Sequence, residues 1–121
     1  MTPSLLLSGI RVAVGAGAWA SPTLAGRAFG LDTTSNPQAT YLARLFGIRD
    51  VVLAAGTLGT PAGPTRDLWW KLGIVADAAD VGAAVLGIRE GRIPGKTGVL
   101  AGLTAAGAVV LGVLALQAEE D

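Results

Sequence analysis

Four stretches of the chain are almost continuously apolar, and each is bounded by Pro, Gly and polar residues. They run over about residues 4–20, 39–58, 68–88 and 97–117. The last is the clearest, since no charged residue stands between Lys96 and Glu119. A helix needs ~20 apolar residues to cross ~30 Å of hydrocarbon, and each stretch comes near that length. The links between them, "GLDTTSNPQ" (30–38), "GTPAGPT" (59–65) and "REGRIPGK" (89–96), are short and rich in helix-breaking residues. Asn36–Pro37 and Asp67 are entry signals for the helices that follow. Short links between long helices make neighbours antiparallel. The pattern predicts an all-α protein, an integral membrane antiparallel four-helix bundle running up-down-up-down, with one domain over residues 1–121.

Composition strengthens the membrane reading. The 121 residues are 51% hydrophobic and only 15% charged, against roughly 25% charge in an average globular protein. A small soluble domain has much surface to cover and needs polar residues for it. Trp69, Trp70 and Lys71 at the start of the third stretch, and Trp19 near the end of the first, suit a headgroup boundary. "AWA" at 18–20 resembles a signal-peptide cleavage site, but Arg11 interrupts the apolar run and no basic segment precedes it, which favours a first membrane helix. Arg27 in the first link and Arg89, Arg92 and Lys96 in the third, against Arg66 and Lys71 on the other side, place those two links in the cytoplasm by the positive-inside rule. Both termini then lie outside, in the cytoplasmic membrane of a bacterium.

Several chemistries are disfavoured. With no Cys and no His, the usual zinc ligands, thiol nucleophiles and imidazole acid–base chemistry are absent. Net charge is zero and there is no basic run, so no nucleic-acid partner is expected. "EGRIPGKT" (90–97) lacks the glycine spacing of a phosphate loop, and "GAGAWA" (15–20) lacks the strand–helix–strand setting of a dinucleotide site. No cofactor and no metal are expected.

What remains is a set of charges inside the apolar stretches: Arg11 in the first, Arg44, Arg49 and Asp50 in the second, Asp77 and Asp80 in the third. One such residue at a helix centre costs roughly 2.5–3.5 kcal/mol, and the five nearest the midplane, all but Arg44, on the order of 12–17 kcal/mol if independent. Convergence on one interior spot, with arginines paired to carboxylates, removes most of that penalty. Small residues four apart, Gly9/Ala13/Gly17 and Gly98/Gly102/Ala106, offer faces for close helix approach.

The signature Arg44-x-x-Gly47-x-Arg49-Asp50, followed by a helix bearing Asp77 and Asp80, resembles the small bacterial and fungal membrane proteins of the domain-of-unknown-function 4267 family (DUF4267). The resemblance implies four spans and brings no established activity. Three functions fit the charge cluster. It can fix helix register, alone, in a homo-oligomer or with a membrane partner. It can line a polar pocket that binds a small lipophilic ligand or converts it by acid–base chemistry (isomerisation, cyclisation or epoxide opening), with Asp50, Asp77 and Asp80 as catalytic candidates and Arg11, Arg44 and Arg49 completing the binding set. It can carry a proton, ion or small solute, as an oligomer. The lipid bilayer is the common partner in all three.

Overall fold

The computed structural model describes residues 1–120. Five helices follow one another: α1 (Pro3–Ala20), α2 (Pro22–Ala28), α3 (Gln38–Gly59), α4 (Pro64–Arg89) and α5 (Gly95–Glu120), with no β-strand among the described residues. The four long helices correspond to the four apolar stretches. The short α2 is an addition to the four expected. Pro22, which reads as a stop after the first stretch, also opens α2, because a proline fits the first turn of a helix where its missing N–H has no partner to lose. Pro64 does the same for α4, which starts four residues ahead of the predicted 68. Thr2 caps α1: its hydroxyl accepts the Leu5 N–H at 3.2 Å.

Inter-helix contacts set the topology. Ser8 meets Thr57 and Gly15 meets Gly47 and Val51, so α1 and α3 run antiparallel. Gly56 lies against Trp69 and Arg49 reaches Asp80, which makes α3 and α4 antiparallel as well. Gly98 faces Ile88, Gly102 faces Ala84 and Gly112 faces Ile74, giving the same relation for α4 and α5. Leu7 of α1 approaches Gly112 of α5 and closes the ring. The order around the bundle is therefore α1, α3, α4, α5, with α1 and α4 on one diagonal. Packing is most extensive within two hairpin-like pairs, α1 with α3 and α4 with α5.

Glycine allows the first pair to close. A Cβ added to Gly15 would stand 2.6 Å from the Gly47 carbonyl oxygen, and one added to Gly47 would stand 2.6 Å from the Gly15 carbonyl oxygen. The two backbones thus touch directly, as small residues permit in helix pairs. The predicted face differs here. Gly9 and Gly17 have open space beside them, and the buried stripe of α1 is Leu7, Ser8, Arg11, Gly15 and Ala18. The Gly98/Gly102 face does meet a neighbour, α4.

The bundle buries several polar side chains and leaves many large apolar ones exposed. Arg11, Asp50, Asp77, Ser8 and Thr57 are buried, whereas Leu5, Val52, Leu72, Val75, Leu86, Val99 and Val110 are exposed. Two helices, α1 and α5, are long and apolar enough to cross a membrane. With 22 and 26 residues, α3 and α4 span about 33 and 39 Å, but their charges lower their apolar character. Trp70 is buried with Leu7 and Ala115 in a core cluster; its ring points inward from α4 while Lys71 beside it is exposed.

In the link before α3, Asp32 accepts the backbone N–H groups of Thr34 (3.0 Å) and Ser35 (3.2 Å). The Ser35 hydroxyl first, then the Ser35 and Thr34 amides, hold its carboxyl below the usual value of 3.8. A depressed carboxyl pKa contributes order that is present above 3.8 and lost as pH falls through the lower folded value. Faster amide exchange at Thr34 and Ser35 is expected below that range and not above it; exchange that ignores pH there, after correction for intrinsic rates, would contradict this role.

Candidate functional site

The buried charges form one connected network. On α1, Arg11 lies in the same stripe as Gly15 and Ala18, so its side chain enters the bundle and crosses the diagonal. Its Nη2 donates to Asp77 Oδ2 at 2.5 Å and its Nη1 to Asp77 Oδ1 at 3.4 Å, a two-pronged match of guanidinium to carboxylate. Nη1 also points at Asp50 Oδ1, again at 3.4 Å. Gly73 makes the crossing possible: a Cβ there would stand 3.0 Å from Arg11 Nη2. One turn from Asp77, Asp80 accepts from Arg49 Nη1 at 2.9 Å and Nη2 at 2.5 Å. Arg49 lies 4.6 Å from the centre of the Phe46 ring, close enough for a cation–π contact. Its Nη2 is 3.9 Å from Asp50 Oδ1 and links the two pairs.

Five of the six residues singled out in the sequence therefore meet. Arg11, Asp50 and Asp77 are buried, and Arg49 and Asp80 are half-buried at the α3–α4 seam. Arg44 stands apart. It is exposed, and its Nε donates to the Trp19 carbonyl at 3.1 Å, one of the last carbonyls of α1. Asp77 and Asp80 both face inward but serve different arginines, Asp77 toward α1 and Asp80 toward α3.

Two polar features were not anticipated. Ser8 and Thr57 share a hydrogen bond at 3.0 Å in the interior. The signal was available: Ser8 lies three residues before Arg11 and Thr57 seven after Asp50, spacings that keep them on the charged faces of their helices. Near the chain ends, Arg66 donates to Glu119 at 3.0 Å and to the Thr60 carbonyl at 2.6 Å. These groups, with Trp70, surround a small cavity of about 220 Å³.

A larger cavity of about 690 Å³ lies on the other side of the Leu7–Trp70–Ala115 cluster. Arg11, Asp50, Asp77 and Asp80 line its inner part. Val14, Phe46, Ala105, Ala108 and Leu111 are among its walls, which are overwhelmingly apolar. It extends toward the end of the bundle where Phe29, Leu31 and Thr97 lie. Exposed Leu42 and Leu103 sit on its rim, so it opens toward the sides of the helices as well. This half of the bundle is where the two helix pairs diverge, because their tight contact is at the Trp70 end. No group of three acidic side chains with metal-binding geometry occurs among the described residues.

No family model matches this chain, and no curated protein or solved structure is significantly similar to it. None of these comparisons adds support to the resemblance to DUF4267. What the molecule establishes by itself is a class: an all-α bundle whose interior holds an Arg/Asp network beside an apolar-walled cavity.

Proposed function

We propose that the chain is an integral membrane protein whose four long helices cross the bilayer, and that its larger cavity binds a small lipophilic molecule carrying one polar end. The observation that carries this reading is the cavity itself, apolar along its walls and ended by a buried ion network. Ligand pockets share this composition, many apolar contacts and a few polar groups that fix orientation. Leu42 and Leu103 on the rim suit entry from lipid, where such a molecule would be dissolved. The exposed apolar residues on all four long helices suit lipid as the surrounding solvent. The basic residues Arg27, Arg89, Arg92 and Lys96 lie at the cavity's end of the bundle, which orients it toward the cytoplasm with both termini outside.

The Arg/Asp network has a second task in this reading. Arg11 ties α1 to α3 and α4, and Arg49 ties α3 to α4, so the network fixes helix register while forming the cavity floor. Conduction fits less well. The cavity ends at the Leu7–Trp70–Ala115 cluster, and a closed end suits retention of a guest more than its passage. The pocket is also built within one copy of the chain.

Purification in mild detergent followed by native mass spectrometry tests the proposal. A small non-detergent molecule is expected to remain bound at about one per chain, and Ala105→Phe, which fills the cavity wall, is expected to remove it while circular dichroism stays unchanged. Recovery of nothing beyond detergent and bulk phospholipid, or retention unaffected by Ala105→Phe, would sink the reading.

A further inference from the structure

Charge matching around the cavity goes one step further than its shape. The network holds three carboxylates, Asp50, Asp77 and Asp80, and two guanidinium groups, Arg11 and Arg49. Two acid–base pairs are complete: each arginine places both terminal nitrogens on one carboxylate, Arg11 on Asp77 and Arg49 on Asp80. Asp50 is left over. Its Oδ1 receives one hydrogen bond, at 3.4 Å, and lies 3.9 Å from Arg49. No hydrogen bond reaches its Oδ2 among the described residues. Yet Asp50 is only 6% exposed, and it lines the cavity. A buried carboxylate without a matched partner is unfavourable, and the imbalance is met by a cation or a proton.

We propose that the cavity selects a lipophilic monocation, a protonated alkyl amine, and that Asp50 receives its ammonium group. This rests on the binding reading above and names the class of guest. Three observations favour an organic cation over other occupants. The wall presents unused acceptor capacity at Asp50, and the network holds one more carboxylate than guanidinium, so a cationic head restores the balance of charge and an anionic head worsens it. A hard divalent cation lacks its ligand set, because such ions take six or more oxygens and no metal-binding acidic group occurs among the described residues. Finally, the apolar walls between Asp50 and the bundle end fit an alkyl chain. At that far end the Thr97 hydroxyl, 4% exposed and lining the same cavity, has no hydrogen-bond partner.

Three probes with the same ten-carbon chain separate the head groups: decylamine, decanol and decanoate. Each is equilibrated at pH 7 with the protein in nanodiscs of zwitterionic lipid, and binding in excess of protein-free nanodiscs is measured by equilibrium dialysis. Decylamine is expected to bind on the order of tenfold more tightly than decanol, and decanoate least, the scale of one charged hydrogen bond. Asp50→Asn is expected to erase the advantage of the amine over the alcohol. If the variant does not fold, the ranking on the unaltered chain still decides. Equal binding of all three, or preference for decanol or decanoate, overturns the inference and leaves a lipophilic pocket standing. An amine preference that survives in folded Asp50→Asn overturns the role of Asp50. Absence of specific binding by any probe overturns the inference and counts against the binding reading.

Discussion

Replacing Arg11 with methionine is expected to destabilise the bundle by about 3–5 kcal/mol, the usual consequence of removing one partner from a buried ion pair. The side chain keeps much of its apolar stem, so the loss is electrostatic. Asp77 loses hydrogen bonds at 2.5 and 3.4 Å, Asp50 loses its single bond at 3.4 Å, and two buried carboxylates remain without a guanidinium between them. Total stabilities of small domains are about 5–15 kcal/mol, so most of the folded population is at risk. Reversible unfolding in mixed micelles, followed by circular dichroism, gives the number. Asp77→Asn added to Arg11→Met is expected to recover part of the loss, because it removes one of the stranded charges. Arg44→Ala is the internal comparison: Arg44 is exposed and makes one bond to a backbone carbonyl, so its loss is expected to cost no more than about 1 kcal/mol. Equal effects at Arg11 and Arg44 would show that the network does not hold the helices.

The second large effect belongs to the α1–α3 contact. Gly47→Val is expected to cost about 3 kcal/mol or more, at the upper end for overpacking. Already the first added carbon would stand 2.6 Å from the Gly15 carbonyl oxygen, 3.1 Å from Ala18 Cβ and 3.2 Å from the Trp19 amide nitrogen. Two of these three are backbone atoms, which cannot swing aside as a long side chain can. The helices must separate, and separation draws Asp50 away from Arg11. Gly17→Val makes the contrast, since nothing lies within 4 Å of a Cβ at that position. The same unfolding measurement distinguishes them, and a Gly47→Val protein as stable as Gly17→Val would refute the close backbone approach.

Much of this molecule was legible in its sequence, and the illegible part has one physical source. Helix class and the four long segments follow from uninterrupted apolar runs and the prolines between them. The meeting of Arg11, Arg49, Asp50, Asp77 and Asp80 follows from the cost of leaving such groups in an apolar setting. Helix rotation does not follow as readily, because α1 carries small residues on more than one face. Gly9, Ala13 and Gly17 form a regular series, but the contact uses Gly15 and Ala18. The charged residue was the better guide: Ser8, Gly15 and Ala18 lie three, four and seven positions from Arg11 and share its face. The inward turn of Trp70 is likewise not legible, because a boundary preference says nothing about which side of α4 a ring faces. Asp50, the least well paired of the acids, could not be told from Asp77 by sequence, because pairing depends on how far each helix turns toward Arg11.

The diagonal reach of Arg11 has a consequence for biosynthesis. Translation delivers α1 before α3 and α3 before α4, so the arginine encounters Asp50 while Asp77 has yet to be made. The carboxylate that is the weaker companion in the finished protein is thus the earlier one available to the nascent chain. A temporary counter-ion of this kind would offset the charge of Arg11 while the first hairpin forms, and the arrival of α4 would then bring Asp77 as its closer partner.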